Sequence, residues 1–74
     1  MSNLVALLNV GAFLKILRKK KGISVANLAK ASGVQPVTIY QVEEGRHYPD
    51  LATLAKLTDA MNIPLSVFFG GLQC

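Results

Sequence analysis

The feature that most constrains the fold is a pair of short helical patterns joined by one tight turn, within residues 24–43. Gly33 tolerates the positive φ that such a turn requires. Ala29 is small enough to lie where two helices cross. Ile39 and Val42 can pack one face of the second helix against the core. Each residue is common, but together at these offsets they predict two helices that meet at a steep angle.

Capping and helix-breaking residues divide the rest of the chain into further helices: Gly22, Ser24, Gly33, Gln35, Pro36, Gly45, Asp50, Pro64 and the pair Gly70–Gly71. The last helix is expected to run from Pro64 through Phe69 and to end at Gly70–Gly71. Gly11 permits a break, so residues 1–9 either continue the first helix or form a separate arm. No segment alternates as strands do, and we predict an all-α, compact five-helix bundle.

Size and composition limit the chain to one small core. It has 74 residues, of which 51% are hydrophobic and 16% charged, so we expect a single domain over residues 1–74. The only cysteine, Cys74, cannot form an intramolecular disulfide, which favours a cytoplasmic protein. No basic residue precedes the apolar N-terminal stretch, which is also too short to span a bilayer, so neither a signal peptide nor a membrane helix is predicted.

The net charge of +4 is concentrated in one run of four basic residues, at positions 18–21. Such a run suits a polyanion, either nucleic acid or an anionic membrane surface. A solvated helix end is the alternative, because cations also complement the helix dipole there.

The order of the motifs LRKKKGIS, LAKASGV, TIYQVEEG and LATLAKLTDAMNIPLSVFF resembles the lambda repressor/Cro-like (XRE) helix-turn-helix family, over about residues 10–69. In this reading helices 2 and 3 form the helix-turn-helix. The resemblance implies that Arg18 of helix 1 pairs with Glu43 of helix 3. If this pair is mostly buried, it fixes the angle of the third helix relative to the first. The alternative is that Glu43 is a surface carboxylate, whose ion pair would contribute little to stability.

The resemblance also implies that the third helix enters the major groove of double-stranded DNA. The matching outward positions are Gln35, Pro36, Val37, Tyr40 and Gln41. Gln41 can pair bidentately with adenine, and Val37 can contact a thymine methyl group. Tyr40 can reach a base or a phosphate, and Thr38 can bond to a phosphate or back into its own helix.

Further candidates for phosphate contact surround this helix: the amides at the start of helix 2, Ser24, Lys19, Lys20, Lys30, Arg46 and Tyr48. Arg46 is favoured because it closely follows the third helix. Val25 stands where the family often has a phosphate-binding glutamine, and Pro36 removes both a polar side chain and a backbone donor. These two departures predict that phosphate contacts and DNA shape contribute more than usual.

Apolar residues exceed what the core needs. Those expected in the core are Leu14, Leu17, Leu28, Ile39, Val42, Leu51, Leu54, Leu57 and Ile63. The apolar residues that this core would bury only in part are Leu4, Val5, Leu8, Phe13, Ile16, Val67, Phe68, Phe69 and Leu72. Exposed apolar patches usually mark an interface, so we expect a homodimer through residues 1–9 and 65–74, with a different protein as the alternative partner.

The sequence therefore predicts a sequence-specific DNA-binding transcriptional regulator, a dimeric repressor on a palindromic operator. One alternative is a protein-interaction module or antitoxin of the same fold, and another is a peripheral membrane helix over residues 1–21. No enzyme, cofactor or metal site is expected, because His47 and Cys74 have no partners at catalytic or ligand spacing.

Overall fold

In the computed structural model, residues 3–73 are described, with the side chains of residues 10–71, and they form five helices. The helices are α1 (Asn3–Lys20), α2 (Val25–Ser32), α3 (Pro36–Glu43), α4 (Leu51–Ala60) and α5 (Leu65–Gln73). Helix α1 contacts α3 and α5, α2 contacts α3 and α4, and α4 contacts α5. The predicted all-α fold is confirmed, with α2 and α3 as the helix-turn-helix.

The predicted capping residues begin α2 and α4, and the predicted glycine ends α2. The Ser24 hydroxyl accepts a hydrogen bond from the Asn27 amide at 3.1 Å at the start of α2. Asp50 does the same for α4, accepting from the Thr53 amide at 2.7 Å. Gly33 ends α2 with φ 77°, which a residue with a side chain rarely adopts. The turn predicted between α2 and α3 is therefore confirmed.

The core lies between the helices and contains Val10, Leu14, Val25, Leu28, Val34, Ile39, Val42, Leu54, Leu57, Met61, Ile63 and Phe68. Most of the predicted core residues belong to it, and Leu17 packs against it half-buried. The prediction for Leu51 is wrong, since this residue is 63% exposed. It is the first residue of α4, one turn ahead of Leu54, where the buried face begins. Pro49 is buried at that end instead.

Helix α5 differs from the sequence prediction in two respects. Phe68 is fully buried rather than left over, because α5 packs against both α4 and α1, and its ring lies 5.2 Å from that of Phe13. The helix also continues through Gly70–Gly71 to Gln73 rather than ending at the glycines. The ring of Phe13 lies against Gly71, where a side chain would collide with it. The absence of a side chain at Gly71 thus permits contact between the helices.

Helix α1 is continuous through Gly11, so residues 3–9 continue the first helix and do not form an arm. Gly11 is buried against the main chain of α3, and a Cβ there would overlap the carbonyl oxygen of Val42. The side chains of four residues expected at an interface lie outside the described part: Leu4, Val5, Leu8 and Leu72. Within residues 3–73, no helix combines the length and the apolarity needed to cross a bilayer.

Candidate nucleic-acid interface

Helix α3 is fixed to α1 by the pair of residues that the sequence predicted. Arg18 Nε donates to Glu43 Oε2 at 2.7 Å, and Arg18 Nη2 donates to Glu43 Oε1 at 3.0 Å. Both side chains are buried, with 10% and 3% of their surfaces exposed. The hydrogen bonding to Glu43 raises the pKa of Arg18 above its usual value and outweighs burial, which lowers it. The expected buried pair is confirmed, and the alternative that Glu43 is a surface carboxylate is wrong.

The same guanidinium also reaches the segment that leads into α2. Arg18 Nη1 donates to the carbonyl oxygen of Ile23 at 2.8 Å, directly before the Ser24 cap. One side chain therefore connects the C-terminal end of α3 with the beginning of α2. Each side-chain nitrogen of Arg18 donates a hydrogen bond, and both carboxylate oxygens of Glu43 accept one. Such a bidentate pair fixes the relative orientation of its two side chains.

The face of α3 opposite this pair is open to solvent. Ile39, Val42 and Glu43 are buried, whereas Val37 and Tyr40 are 55% and 53% exposed. The structure places Gln35, Pro36 and Gln41 on the surface as well, and leaves Thr38 half-buried. Pro36 is the first residue of α3, as predicted, and Gln35 precedes it without making a side-chain capping bond.

Four exposed positions of this face have helical spacing. Val37, Tyr40, Gln41 and Glu44 follow one another at i, i+3, i+4 and i+7, so we refer to these four residues as the α3 stripe. The first three were predicted from the sequence as candidates for DNA contact. Glu44 was not among the predicted residues, although its position four residues after Tyr40 indicates the same helix face.

The candidate phosphate contacts are all on the surface: Ser24, Lys19, Lys20, Lys30, Arg46 and Tyr48. The Ser24 oxygen accepts the capping bond from Asn27, which leaves its hydroxyl hydrogen able to donate elsewhere. Arg46 Nε lies 3.4 Å from Glu44 Oε1, and both side chains are well exposed, at 77% and 53%. An exposed pair of this kind contributes little to stability, so the side chain of Arg46 is able to exchange partners.

Val25 has a structural role that sequence reasoning missed. It is the first residue of α2, where the related family often has a phosphate-binding glutamine, and its side chain is only 6% exposed. Val25 precedes the fully buried Leu28 by three residues, and this helical spacing was the available signal. At this position the chain uses its side chain for the core rather than for a polar contact.

The sequence offered His47 as the one histidine near the candidate interface. His47 is exposed in the loop that follows α3. Over residues 3–73, no three His, Cys, Asp or Glu side chains are grouped as metal ligands would be.

Comparison with known proteins agrees with this architecture. Residues 14–68 match the family model HTH_3, described as helix-turn-helix. The chain belongs to this helix-turn-helix family, as its motifs indicated. The family is one of DNA-binding transcription regulators, which are not a class of enzymes.

Over 60 residues the chain is 38% identical to the HTH-type transcriptional regulator SutR of Escherichia coli K12, a match covering 81% of this chain and 34% of SutR. It thus spans about a third of the length of SutR.

Among the solved structures that are similar to this chain, two illustrate matches over most of both chains. One is the restriction-modification controller protein C.AhdI from Aeromonas hydrophila, with a TM-score of 0.83 and 32% identity, covering 88% of this chain and 98% of C.AhdI. The other is the controller protein C.Esp1396I, solved as a tetramer in complex with its natural 35 base-pair operator. Its TM-score is 0.87 at 25% identity, and the match covers 99% of this chain and 93% of that protein.

Proposed function

We propose that this protein is a transcriptional regulator that places α3 in the major groove of DNA, and that it acts as a dimeric repressor on a palindromic operator. The observation that carries the proposal is the α3 stripe, an exposed face on a helix whose opposite face is fixed by the Arg18–Glu43 pair. A helix that contacts base edges must be held in a fixed position by the protein on one face and be exposed on the other, because its contacts depend on that position.

The chemistry of the stripe suits base edges. The Gln41 amide has the donor and the acceptor that match adenine N7 and N6, and Val37 offers methyl groups to thymine. Tyr40 adds an aromatic surface with a hydroxyl. Pro36 at the first position of α3 provides no backbone donor, so the inventory of direct contacts is small and DNA shape contributes to recognition.

Positive charge supports binding to the phosphate backbone. Exposed cations lie at the C-terminal end of α1, on α2 and directly after α3: Lys19, Lys20, Lys30 and Arg46. The start of α2, with Ser24 and the backbone amides of the first turn, is a further candidate for a phosphate. Each phosphate contact releases counterions, so binding is expected to weaken steeply as salt rises.

Exposed apolar residues support the dimer. Ile16 of α1 and Val67 of α5 are 51% and 60% exposed, on two helices that pack together through Phe13 and Phe68. A second copy would cover these residues and hold two α3 helices about 34 Å apart, one turn of DNA. The related C.Esp1396I is a tetramer on its operator, which agrees with assembly on DNA. The cytoplasmic location expected from the sequence belongs to the same proposal.

Selection of bound duplexes from a random pool tests this function. We expect an enriched sequence with two-fold symmetry and half-sites about 10 base pairs apart. If no sequence is enriched, the function as a sequence-specific regulator is wrong. A salt series then separates the alternatives, since a protein-interaction module of this fold would show no steep loss of DNA binding between low and physiological salt.

A further inference from the structure

The α3 stripe ends in the carboxylate of Glu44, whose ion pair with Arg46 joins two exposed side chains. Glu44 lies seven residues after Val37 and four after Tyr40, which places it on the same exposed face. The other acidic residues have different surroundings, because Glu43 is bonded to Arg18, and Asp50 caps α4. Asp59 lies on α4 itself.

The position of Glu44 is unfavourable for the fold. The residue follows the last turn of α3, where the helix dipole is negative, and no basic residue lies in that turn. Its ion pair with Arg46, at 3.4 Å between two exposed side chains, is too weak to offset this. A carboxylate on the face proposed to meet DNA is also repelled by phosphates. Glu44 therefore favours neither folding nor binding to an arbitrary duplex.

A carboxylate discriminates strongly between bases because it can only accept hydrogen bonds. In the major groove guanine presents two acceptors and thymine presents one, so both repel it. Adenine presents a donor beside an acceptor. Cytosine presents only the donor of its N4 amino group, and it is the base that an accepting group such as Glu44 fits best.

We propose that Glu44 is a specificity-determining residue that accepts a hydrogen bond from a cytosine amino group in the major groove and disfavours duplexes without a cytosine at that position. This inference rests on the proposed function. Because the pair with Arg46 is weak, Glu44 can leave it when cytosine is available, and Arg46 is then free to bond a phosphate. Recognition of one base and contact with the backbone are thus coupled.

The experiment compares duplex selection by three proteins: the unmodified chain, Glu44→Gln and the control Asp59→Asn. The control removes the same charge from exposed Asp59 on α4, which within the described residues packs against α2 and α5 and not against α3. We expect the unmodified chain and Asp59→Asn to select cytosine at one position of each half-site. Glu44→Gln should lose roughly tenfold in preference at that position, with adenine gaining, and keep its preferences elsewhere.

Binding to a scrambled duplex provides the second readout. Without the repelling carboxylate, Glu44→Gln should bind it several-fold more tightly than the unmodified chain, and Asp59→Asn should change less. Unfolding in urea should show that Glu44→Gln is at least as stable as the unmodified chain, so that altered selection does not come from unfolding. If Glu44→Gln selects the same base at every position, this inference is overturned while the proposed function stands. If the unmodified chain enriches no sequence, both fail.

Discussion

Gly11 of α1 lies directly against the main-chain carbonyl of Val42, so α1 and the C-terminal end of α3 meet with no side chain between them. Seven residues further along the same face of α1, Arg18 bonds to the side chain of Glu43. Gly11 permits the close approach of the two helices, and the buried pair joins their side chains. The face of α1 that carries both residues therefore determines how α3 presents its exposed stripe.

Replacing Gly11 by alanine should destabilise the protein, although alanine is the better helix former. The added methyl group would overlap the carbonyl oxygen of Val42, and backbone atoms must move to accommodate it. We expect a loss of about 1–3 kcal/mol in the free energy of unfolding, measured by urea denaturation.

Gly70→Ala provides the matched control, because a Cβ at this helical position meets no atom within 4 Å apart from those of its chain neighbours and its own helix backbone. This substitution should stabilise the protein by up to about 1 kcal/mol through helix propensity. Equal stability of the Gly11→Ala and Gly70→Ala variants would contradict the close contact between α1 and α3.

The Arg18–Glu43 pair should behave as a coupled unit. Arg18→Met alone should cost about 3 kcal/mol in the free energy of unfolding, because Glu43 would remain buried without a partner, and Glu43→Leu should cost a similar amount. The double variant removes both charges and should be more stable than the sum of the two losses predicts. A double-mutant cycle by urea unfolding measures this difference, and strictly additive losses would contradict the coupling.

Much of this arrangement could be predicted from the sequence because local rules govern it. Capping at Ser24 and Asp50, the positive φ of Gly33 and the start of α3 at Pro36 depend on neighbouring residues, and all four are confirmed. The Arg18–Glu43 pair joins distant parts of the chain, and it was found only through a family resemblance.

The incorrect predictions all depended on contacts between distant segments. Gly71 would normally weaken a helix, but the ring of Phe13 fills the space beside it, and α5 continues. Phe68 is enclosed because α5 packs against two helices, whereas Leu51 is exposed because the buried face of α4 begins one turn later. Helical periodicity shows which residues can share a face, but not where a neighbouring helix begins to cover it.

Acid should weaken the cap of α4. Hydrogen bonds from Thr53, first from its side chain and then from its backbone, lower the pKa of Asp50 below its usual value. The charged form thus stabilises the folded state above the unfolded pKa of about 4, and this contribution disappears as the pH falls through the lowered pKa. The melting temperature of the unmodified chain should therefore fall more steeply below pH 4 than that of Asp50→Asn, which keeps a capping side chain that does not titrate. Parallel curves would contradict this role for Asp50.

Val67→Lys should separate the proposed dimer without unfolding the subunit, because Val67 is 60% exposed and a lysine there would place two like charges in the interface. We expect the dissociation constant of the dimer, measured by sedimentation equilibrium, to rise at least about tenfold. Leu51→Lys is the control, since Leu51 is 63% exposed on α4, outside the proposed interface. Equal effects of the two substitutions would place the interface elsewhere.

Gln41→Ala and Arg46→Ala should weaken operator binding in different ways. Loss of the Gln41 amide removes a base contact, so affinity should fall by about 1–3 kcal/mol and one base preference should relax. Loss of Arg46 removes a phosphate contact, so affinity should fall for all duplexes, and the dependence of log K on log salt should decrease by about one. Fluorescence anisotropy over a salt series measures both effects. If Gln41→Ala leaves every base preference unchanged, Gln41 does not read DNA.

The most direct test of the central claim is the ratio of affinities for the selected operator and for a scrambled duplex of the same length and composition, measured with the unmodified protein at physiological salt. If α3 reads base edges from its exposed stripe, the operator should bind about a thousandfold more tightly. Equal affinity for the two duplexes would contradict the account, because the stripe would then carry no sequence information.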